Sequence, residues 1–511
     1  MSTTSPVVAE RPVPGTPRPY EFPAVERSQL DNGLRVIVAR MPGRALVTAS
    51  LVSRRGAADE SPDVAGATVL AARALTEGTE SYDAIALVEA AERLGASIHA
   101  EAGWDAFSVS VDVPVARLAQ AVELLAEVVR RPTFPATEVE RLRDERLNDL
   151  LQARADPRRR AEEAFAETVY DVSSPYHRPA GGTRETVEQL TPDSLRAAYS
   201  AVGPRESAIV IAGDLGDLDA VAVLAPLFAD WTADATSPGS IADRGAVDRR
   251  FVRVVHRPGA VQTEIRIGHP GLPRRHPDFH AVSVMSAILG GLFNSRLNMK
   301  LREEKGYTYG AGAGFDMRRA AGPFAARAAV NTEATVPAIV DTLAELDRIR
   351  EAPVSDAELR AARDFLVGVF PLRFETPGPV AASLAGLFVH DLPDDELTHY
   401  RSAIEAVTAD DVLRVAREHI RPDASAIVLV GDADQFGEAL SAEGVGEVRV
   451  ERDEGPRTEG PIEPSELEAG PVDRSDEEGP TAGAEEPELP GEGEEPTPAE
   501  PAPQIERPHP A

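Results

Sequence analysis

The sequence predicts an α+β protein made of two homologous, duplicated domains, because a long segment of the chain recurs. Residues 190–215 (LTPDSLRAAYSAVGPRESAIVIAGDL) and 407–433 (VTADDVLRVAREHIRPDASAIVLVGDA) share residues at a constant separation of 218 positions. In each copy a Thr can cap an amphipathic helix, and a Pro turn and a buried strand ending in Gly-Asp follow. The period far exceeds the roughly 20–50 residues of solenoid repeats, which indicates a duplicated domain. The matched residues include Leu195 and Leu413, Pro204 and Pro422, and Gly213 and Gly431.

The repeat also sets the domain boundaries that we predict. Two copies of similar length are joined by a stretch containing TADATSPGS, whose composition is typical of a linker. The predicted segments are a disordered N-terminal stretch (1–24), a first α+β domain (25–235), a linker (236–249), a second α+β domain (250–447) and a disordered acidic tail (448–511).

Each domain is expected to be a mostly antiparallel sheet with helices packed on one face. In the first copy LDNGLRVIVAR and ALVTASLVSRRG have strand patterns, and Asn32-Gly33 is a tight-turn signal. Strands and helices then interleave without the regular βαβ alternation of a doubly wound sheet, which favours the α+β class. Helices are predicted at 62–75, 83–94, 115–130 and 137–153, and a strand is predicted at 106–113.

The C-terminal segment carries much of the net charge of −32. Residues 451–511 contain 19 acidic residues, 4 arginines and 13 of the 43 prolines. Such a segment buries too little apolar surface to offset the entropy lost on ordering, so we predict a disordered tail that aids solubility. A specific docking role for the tail is the alternative.

Composition excludes several classes of protein. The chain lacks an apolar run near the ~18 residues of a membrane helix, and it lacks the clustered positive charge that nucleic-acid binding needs. It has no Cys, which excludes disulfides and thiolate metal sites. The N-terminus has no basic stretch followed by an apolar one, so no secretory signal is expected. We therefore expect a soluble cytoplasmic protein.

Five stretches of the chain carry a family resemblance. They are LDNGLRVIVAR, GATVLAARALTEGT, FPATEVERLRDERLNDLLQARADP, SPYHRPAGGTRETVEQLT and LGGLFNSRLNMKLREEKGYTYGAGAGF. Together they resemble the pitrilysin/insulinase family of zinc peptidases (family M16), which includes the subunits of the mitochondrial processing peptidase. The resemblance covers about residues 25–445, and it implies two α+β halves that form a clamshell around a peptide substrate.

The stretch that resembles the family's zinc helix, residues 66–79, lacks the zinc-binding residues. In the H-x-x-E-H motif two His on one helical face bind zinc, and the Glu activates a water. The register set by the flanking glycines places Val69, Ala72 and Arg73 at these positions, and Asp149 at the position of the third ligand. Because a methyl group cannot ligate zinc and a guanidinium repels it, we expect no catalytic metal in this chain.

The second copy keeps an Arg and a Tyr seven residues apart, which family members place on the half that faces the zinc. These are Arg302 and Tyr309, and their fixed cation and directional hydroxyl could hold a substrate carbonyl and stabilise an oxyanion. Gly310 lies where peptide backbone would approach closely, and His99 occupies the position of a substrate-pairing Asn on an edge strand. Alternatively, Arg302 is a surface residue paired with a neighbouring Glu, and Tyr309 is a packed strand residue.

Two histidines in HPDFH, His276 and His280, have a four-residue spacing that can bind metal on a helix. No Glu or Cys lies at a suggestive distance along the sequence. We therefore interpret both as capping and packing residues.

A chain that lacks the zinc residues but keeps Arg302 and Tyr309 suggests a hypothesis for function. It would be the non-zinc subunit of a heterodimeric metallopeptidase, inactive alone, and a homologous partner would supply zinc. An extended peptide would bind by adding a strand to a sheet edge. Two alternatives stay open: a structural or regulatory core-type subunit, and a peptide-binding module without hydrolysis.

Overall fold

The structure, a computed structural model, describes residues 19–233, 239, 241 and 245–452. In this part of the chain two six-stranded mixed sheets carry helices, which confirms the predicted α+β fold with two similar halves. We call residues 19–233 the first half and residues 245–452 the second half. Part of the predicted linker (236–249), and the predicted tail beyond Arg452, lie outside the described residues. None of the described helices has the length and apolarity needed to cross a membrane.

The first half forms a sheet in the spatial order β1-β2-β6-β3-β5-β4, and β2 and β6 are its one parallel pair. The central strand β6 (SAIVIAG) is buried along its whole length because both faces of the sheet are covered there. The strands are β1 (Val25–Gln29), β2 (Arg35–Arg40), β3 (Leu46–Ser53), β4 (Ser97–Ala102), β5 (Phe107–Pro114) and β6 (Ser207–Gly213). The helices are α1 (Ala67–Ala74), α2 (Ala84–Arg93), α3 (Leu118–Arg130), α4 (Ala136–Ala155), α5 (Pro157–Val169), α6 (Arg184–Val187), α7 (Pro192–Tyr199) and α8 (Ala220–Phe228).

The second half forms a sheet in the order β12-β7-β11-β8-β10-β9, in which β7 is parallel to both of its neighbours. The strands are β7 (Phe251–His256), β8 (Gln262–Pro270), β9 (Thr308–Phe315), β10 (Pro323–Asn331), β11 (Ala426–Gly431) and β12 (Glu447–Arg452). The helices are α9 (Phe279–Ser286), α10 (Arg296–Asn298), α11 (Thr335–Glu351), α12 (Asp356–Val369), α13 (Pro377–Val389), α14 (Glu396–Ala406), α15 (Ala409–His419) and α16 (Ala433–Glu443). Two π-helical segments, Ala287–Gly291 and Met299–Glu304, follow α9 and α10.

The duplication is visible in the strand pairing. Strands β2 to β6 correspond in order to β7 to β11, and in each half the last of these strands pairs parallel with the first and antiparallel with the second. The halves differ at the outer edge, where β1 adds antiparallel to β2 and β12 adds parallel to β7. Backbone pairing of β12 therefore carries the second sheet to Arg452, past the predicted end of the domain at 447.

Each sheet is covered on one face by a helix from the other half. Helix α13 packs on β3 and β6, and α5 packs on β8 and β11. Both helices have 13 residues and begin with a Pro directly after the N-cap residue, Asp156 or Thr376. Because each half completes the core of the other, the two halves form one compact unit.

Residues that precede β1 are packed against the second half. The ring centroids of Tyr20 and Phe370 lie 6.0 Å apart, and those of Phe22 and Phe374 lie 5.0 Å apart in an edge-to-face arrangement. Such aromatic pairs bury large apolar areas with favourable geometry. Residues 19–24 therefore differ from the predicted disordered stretch (1–24), because two aromatic rings anchor them.

The single helix predicted at 62–75 is broken. A short 3₁₀ turn at Pro62–Val64 precedes Gly66, whose φ of 96° lies in the left-handed region, and α1 begins after it. A Cβ at Gly66 would lie 2.7 Å from the Gly181 carbonyl oxygen, so the close approach of that loop requires a glycine here.

Candidate functional site

A partly buried carboxylate holds the start of α1, the helix that resembles the family's zinc helix. The Glu60 carboxylate accepts hydrogen bonds from the backbone N–H groups of Gly66 at 2.9 Å and Thr68 at 2.5 Å. Burial raises the pKa of Glu60, and the two backbone donors partly oppose that shift. The Thr186 hydroxyl donates to the Ala65 carbonyl at 2.8 Å, which ties α6 to the same turn. The position of α1 is therefore well determined.

Side chains that do not bind zinc occupy the three positions on α1 that were expected to hold it. Val69 is half-buried and Ala72 is fully buried. Both side chains are hydrocarbon, so neither offers a donor atom to a metal ion. The exposed Arg73 extends its guanidinium to α4, where Nη2 lies 2.7 Å from Glu145 Oε2. Arg141 binds the other oxygen of Glu145 at 2.5 Å, and together the two guanidinium groups lower the pKa of Glu145. An ion-pair network therefore joins α1 and α4 here.

Asp149, predicted at the position of the third ligand, does not meet Arg73. Its Oδ1 lies 2.8 Å from Nη1 of Arg159 on α5, and its Oδ2 accepts a hydrogen bond from Arg146. The hydrogen bond from Arg159 is the main cause of the lowered pKa of Asp149. The carboxylate that faces α1 is Glu145, one helical turn earlier. The i, i+4 spacing places both carboxylates on one face of α4, but which of them meets α1 depends on how the two helices pack.

These residues do not fit a zinc ion. Two of the four positions have no donor atom, one is a cation, and the carboxylate at the fourth is bound by two arginines. Among the described residues, the groups of His, Asp and Glu close enough to share a metal ion both lie in the second half. They are His276 with Asp278 and His419, and His256 with Asp432 and Asp434.

The Arg and Tyr of the second half lie on neighbouring elements. Arg302 belongs to the π-helical segment after α10, its guanidinium carbon lies 4.6 Å from the Phe293 ring centroid, and its Nε lies 3.5 Å from Glu303. Tyr309 lies on β9 with 93% of its surface exposed. In the described part of the chain neither side chain makes a hydrogen bond or ion pair to the first half. Arg302 therefore fits the alternative of a surface residue beside a neighbouring Glu, whereas the packed-strand alternative does not describe Tyr309.

Strand β9 is the edge strand of the second sheet, and a close helix contact positions it. A Cβ at Gly290 would lie 2.0 Å from the backbone nitrogen of Ala313, so the glycine lets the π-helical segment touch the strand. The Asn298 side chain accepts a hydrogen bond from the Ala311 N–H at 3.2 Å. Gly310 is exposed, and its N–H donates to the Thr308 hydroxyl at 3.1 Å. Part of the outer edge of β9 is therefore already hydrogen-bonded.

His99 occupies the corresponding place in the first half. It is exposed on β4, the edge strand of the first sheet, and it lies opposite Ser110 of β5. Three of the predicted substrate-binding residues, His99, Tyr309 and Gly310, are thus on two edge strands, one in each sheet.

The hairpins that carry the two edge strands meet at their tips, a contact that sequence reasoning missed. Between β9 and β10, Arg319 donates from its backbone to Asp105 at 2.7 Å and from its side chain to Asp59 at 2.8 Å. The neighbouring Arg318 lies over the rings of Trp104 and Tyr176, at 5.1 Å and 4.6 Å from their centroids. The Arg-Arg pair in a hairpin turn is the sequence signal that could have indicated this contact. The tips fix the two sheets to each other.

A cavity of about 600 Å³ lies beside this contact, between α13 and the open face of the first sheet. Its sheet side is lined by hydroxyl and carboxylate groups, among them Thr48, Ser50, Ser110 and Asp112. Its helix side is lined by small residues of α13. The face of the sheet between α13 and β4 is therefore polar and open.

Two family models match the sequence. Residues 35–180 match the insulinase family, peptidase family M16, and residues 189–366 match the peptidase M16 inactive domain. Together the two matches span more than half of the chain. The chain belongs to the M16 (insulinase) family.

Curated M16 relatives have different descriptions. An uncharacterized zinc protease of Streptomyces coelicolor is 25% identical over 411 residues, which are 79% of this chain and 89% of the relative. The non-peptidase homolog YmxG of Helicobacter pylori is 24% identical over 336 residues, which are 64% of this chain and 75% of the relative. Family membership therefore leaves the activity of this M16 chain open.

Solved structures share the fold. A peptidase M16 inactive domain from Pseudomonas fluorescens has a TM-score of 0.75 and 24% identity, and the match covers 80% of this chain and 98% of that one. A protease from Helicobacter pylori also has a TM-score of 0.75, with 20% identity and coverage of 80% and 100%. This chain thus shares its fold with the two structures over almost their whole length.

Proposed function

We propose that this M16 chain is the non-zinc subunit of a heterodimeric metallopeptidase and is inactive without its partner. The observation that carries the proposal is a contrast between two places in the fold. At the zinc position Arg73 is bound to Glu145, whereas Tyr309 stands exposed on an edge strand. Polar groups that face solvent on a sheet edge are available to a peptide, and groups already paired with each other are not.

In this proposal the second half binds and orients the substrate. The Arg302 guanidinium presents a planar fork of hydrogen-bond donors, and its position over the Phe293 ring restricts its motion. The Tyr309 hydroxyl is a directional donor for a peptide carbonyl or for the oxyanion that develops from it. Gly310 and His99 allow peptide backbone to approach the two edge strands. The roles of these four residues are part of the proposal.

The proposed partner is a homologous M16 subunit that carries the zinc ion and the activating carboxylate. The partner's metal would supply the activated water, and this chain would contribute substrate binding from the opposite side of the cleft. The mismatch of Val69, Ala72, Arg73 and Asp149 with zinc supports this division of roles.

A second candidate function is a structural or regulatory subunit without a hydrolytic role. The 24% identity to a relative described as a non-peptidase homolog favours it. The two candidates differ in what they require of Tyr309, because a purely structural subunit does not need its hydroxyl.

The deciding experiment compares peptide hydrolysis by the purified chain with hydrolysis by the complex recovered from its own cells, with and without a zinc chelator. We expect activity only in the complex, and loss of that activity with chelator. In the complex, Tyr309→Phe should lower kcat by roughly 100-fold, the usual effect of losing one oxyanion donor, with subunit assembly unchanged.

The control is Arg360→Gln, which alters an exposed Arg on α12 of the same half, whereas Arg302→Gln removes the proposed substrate cation. Equal activity of the Tyr309→Phe and wild-type complexes would contradict the catalytic role and favour the structural candidate. Zinc-dependent hydrolysis by the chain alone would contradict the assignment of the zinc positions.

A further inference from the structure

The second half contains a cluster of two histidines and an aspartate outside the substrate site. Asp278 Oδ2 lies 2.8 Å from Nε2 of His419 and 3.8 Å from Nδ1 of His276. One potential ligand atom from each of the three residues lies within 4.8 Å of the others. We propose that these residues bind one divalent transition-metal ion of the zinc class.

The fold, rather than the local sequence, assembles this cluster. His276 and Asp278 lie just before α9, and His419 is the last residue of α15, the helix that packs against α9. The rings of His276 and His419 are perpendicular, with centroids 5.1 Å apart. The four-residue spacing of His276 and His280 is not used, because Nε2 of His280 points to Glu396 at 3.9 Å.

The type of ion follows from the donors. Two imidazoles and one carboxylate suit Zn²⁺, Ni²⁺, Co²⁺ or Cu²⁺, whereas Ca²⁺ and Mg²⁺ prefer sites made only of oxygen. The side chains of His276, Asp278 and His419 are 30%, 15% and 13% exposed. The cluster is therefore enclosed enough to hold its geometry and open enough for an ion to enter.

Arg414 competes with the ion for Asp278. Its Nη2 lies 2.7 Å from Oδ1, and its Nη1 lies 3.1 Å from Oδ2. Nη1 also lies 3.0 Å from Glu418, so the guanidinium keeps a partner if the carboxylate turns to a metal. Arg414 therefore orients the carboxylate before an ion binds and weakens the binding of a cation there.

The second cluster close enough to share an ion is better explained as a helix cap. Asp432 Oδ2 accepts hydrogen bonds from the Gly259 N–H at 2.9 Å and the Gln435 amide at 2.8 Å, at the start of α16. His256 is buried and accepts from the Ala433 N–H at 3.2 Å. Capping thus uses both the Asp432 carboxylate and the His256 ring of this second cluster, whereas in the first cluster it uses only His276 Nδ1, which accepts from the Asp278 N–H at 3.2 Å.

The test measures Zn²⁺ binding to the untagged full-length chain, by competition with a chromogenic chelator at fixed pH. We expect one ion per chain and a higher thermal midpoint with Zn²⁺ than without it. His276→Asn and His419→Gln should each lower the affinity by roughly 10- to 100-fold or more, because even supporting residues of metal sites have effects of this size. The Gln side chain can still donate to Asp278, so folding should be preserved.

Two further variants make the test specific. His399→Asn changes an exposed His that is paired only with Asp395, and it should leave affinity unchanged. Arg414→Gln removes the competing cation and should raise the affinity. The proposal is overturned if wild type does not bind Zn²⁺, if binding survives both ligand variants, or if His256→Asn abolishes it. Because Tyr309 is distant in sequence and belongs to another element, Tyr309→Phe should not change Zn²⁺ binding, so this proposal and the proposed function can fail separately.

Discussion

Helices α5 and α13 occupy equivalent places in the two halves, but they fill their interfaces in different ways. Residues of the two helices correspond at a separation of 220 positions, from Pro157 and Pro377 to Val169 and Val389. In α5 the residue at the ninth position is the buried Phe165, which packs on the second sheet. In α13 it is Ala385, which lines the 600 Å³ cavity over the first sheet. The same backbone arrangement is filled in one half and open in the other.

The two sheets also differ, and the difference complements the one between the helices that cover them. Gly268 of β8 pairs with Ala426, and its counterpart Val52 of β3 pairs with Ala208. A Cβ at Gly268 would lie 2.9 Å from the Phe165 ring and 1.9 Å from a backbone oxygen, so the second sheet leaves room for the ring. In the first sheet the Val52 side chain fills part of the space that a ring at position 385 would occupy. The space left unfilled is the 600 Å³ cavity.

The two helix–sheet interfaces also differ in their charged residues. Arg266 of β8 is only 2% exposed, and it is bound to Glu162 of α5 at 2.8 Å and to Glu264 at 2.9 Å. The α13 residue that corresponds to Glu162 is Ala382, which lines the cavity. Helix α5 is therefore held on the second sheet by a directional ion pair as well as by packing. This is the sheet that contains β9 and Tyr309. Duplication has preserved the topology while the packing of the two interfaces has diverged.

The largest effect is expected from Phe165→Ala in α5. Removing a buried ring from a filled interface should lower the free energy of unfolding by about 3–5 kcal/mol. Urea denaturation of the full chain measures it. The control, Ala385→Gly at the matched position in α13, should cost about 1 kcal/mol, the helix propensity alone. Similar losses in the two variants would contradict the distinction between filled and open interfaces.

A smaller difference in the free energy of unfolding is expected between Val169→Ala and Val389→Ala. Each substitution removes two methyl groups from the last residue of its helix, α5 or α13. Val169 is enclosed by packed side chains, so its loss should create a void and cost about 2–3 kcal/mol. Val389 already borders the cavity, so its loss should cost only the transfer term of two carbons, about 1.5 kcal/mol. Paired denaturation curves test the order, and a greater loss at Val389 would reverse our interpretation of the cavity.

The smallest effect is a gain. Gly386 lies inside α13, where an added methyl group would have no atom within 4 Å, and the matched residue of α5 is Ala166. Gly386→Ala should therefore stabilise the chain by about 0.5–1 kcal/mol through helix propensity. The reverse change, Ala166→Gly, should destabilise it by a similar amount. If the thermal midpoints of both variants shift in the same direction, the residue-by-residue correspondence between α5 and α13 is wrong.

Much of the fold was predictable because its signals are local. The Thr caps of the repeat, Thr191 and Thr408, form the expected capping boxes at α7 and α15. The apolar runs that end in Gly213 and Gly431 form the central strands β6 and β11. These features depend on neighbouring residues, so a single sequence contains the information needed to predict them.

Other features depend on contacts between distant residues and could not be predicted. The charged segment Glu447–Arg452 does not resemble a central strand, and it becomes β12 because β7 offers a free edge. The pairing of Arg73 with Glu145, and of His276 with His419, depends on how helices far apart in sequence are packed. The sequence predicted that Val69, Ala72 and Arg73 occupy the zinc positions of the family, but it did not predict the ion-pair network between Arg73 and Glu145.

The exchange of covering helices has a consequence for synthesis of the chain on the ribosome. Strand β6 ends at Gly213, but the helix that covers it and β3 begins only at Pro377. An apolar surface that includes Ile37, Val52 and Val210 therefore has no cover from its own half while the second half is being made. Until α13 emerges, this apolar face of the nascent first half is exposed, and we expect aggregation to be most favoured during that interval.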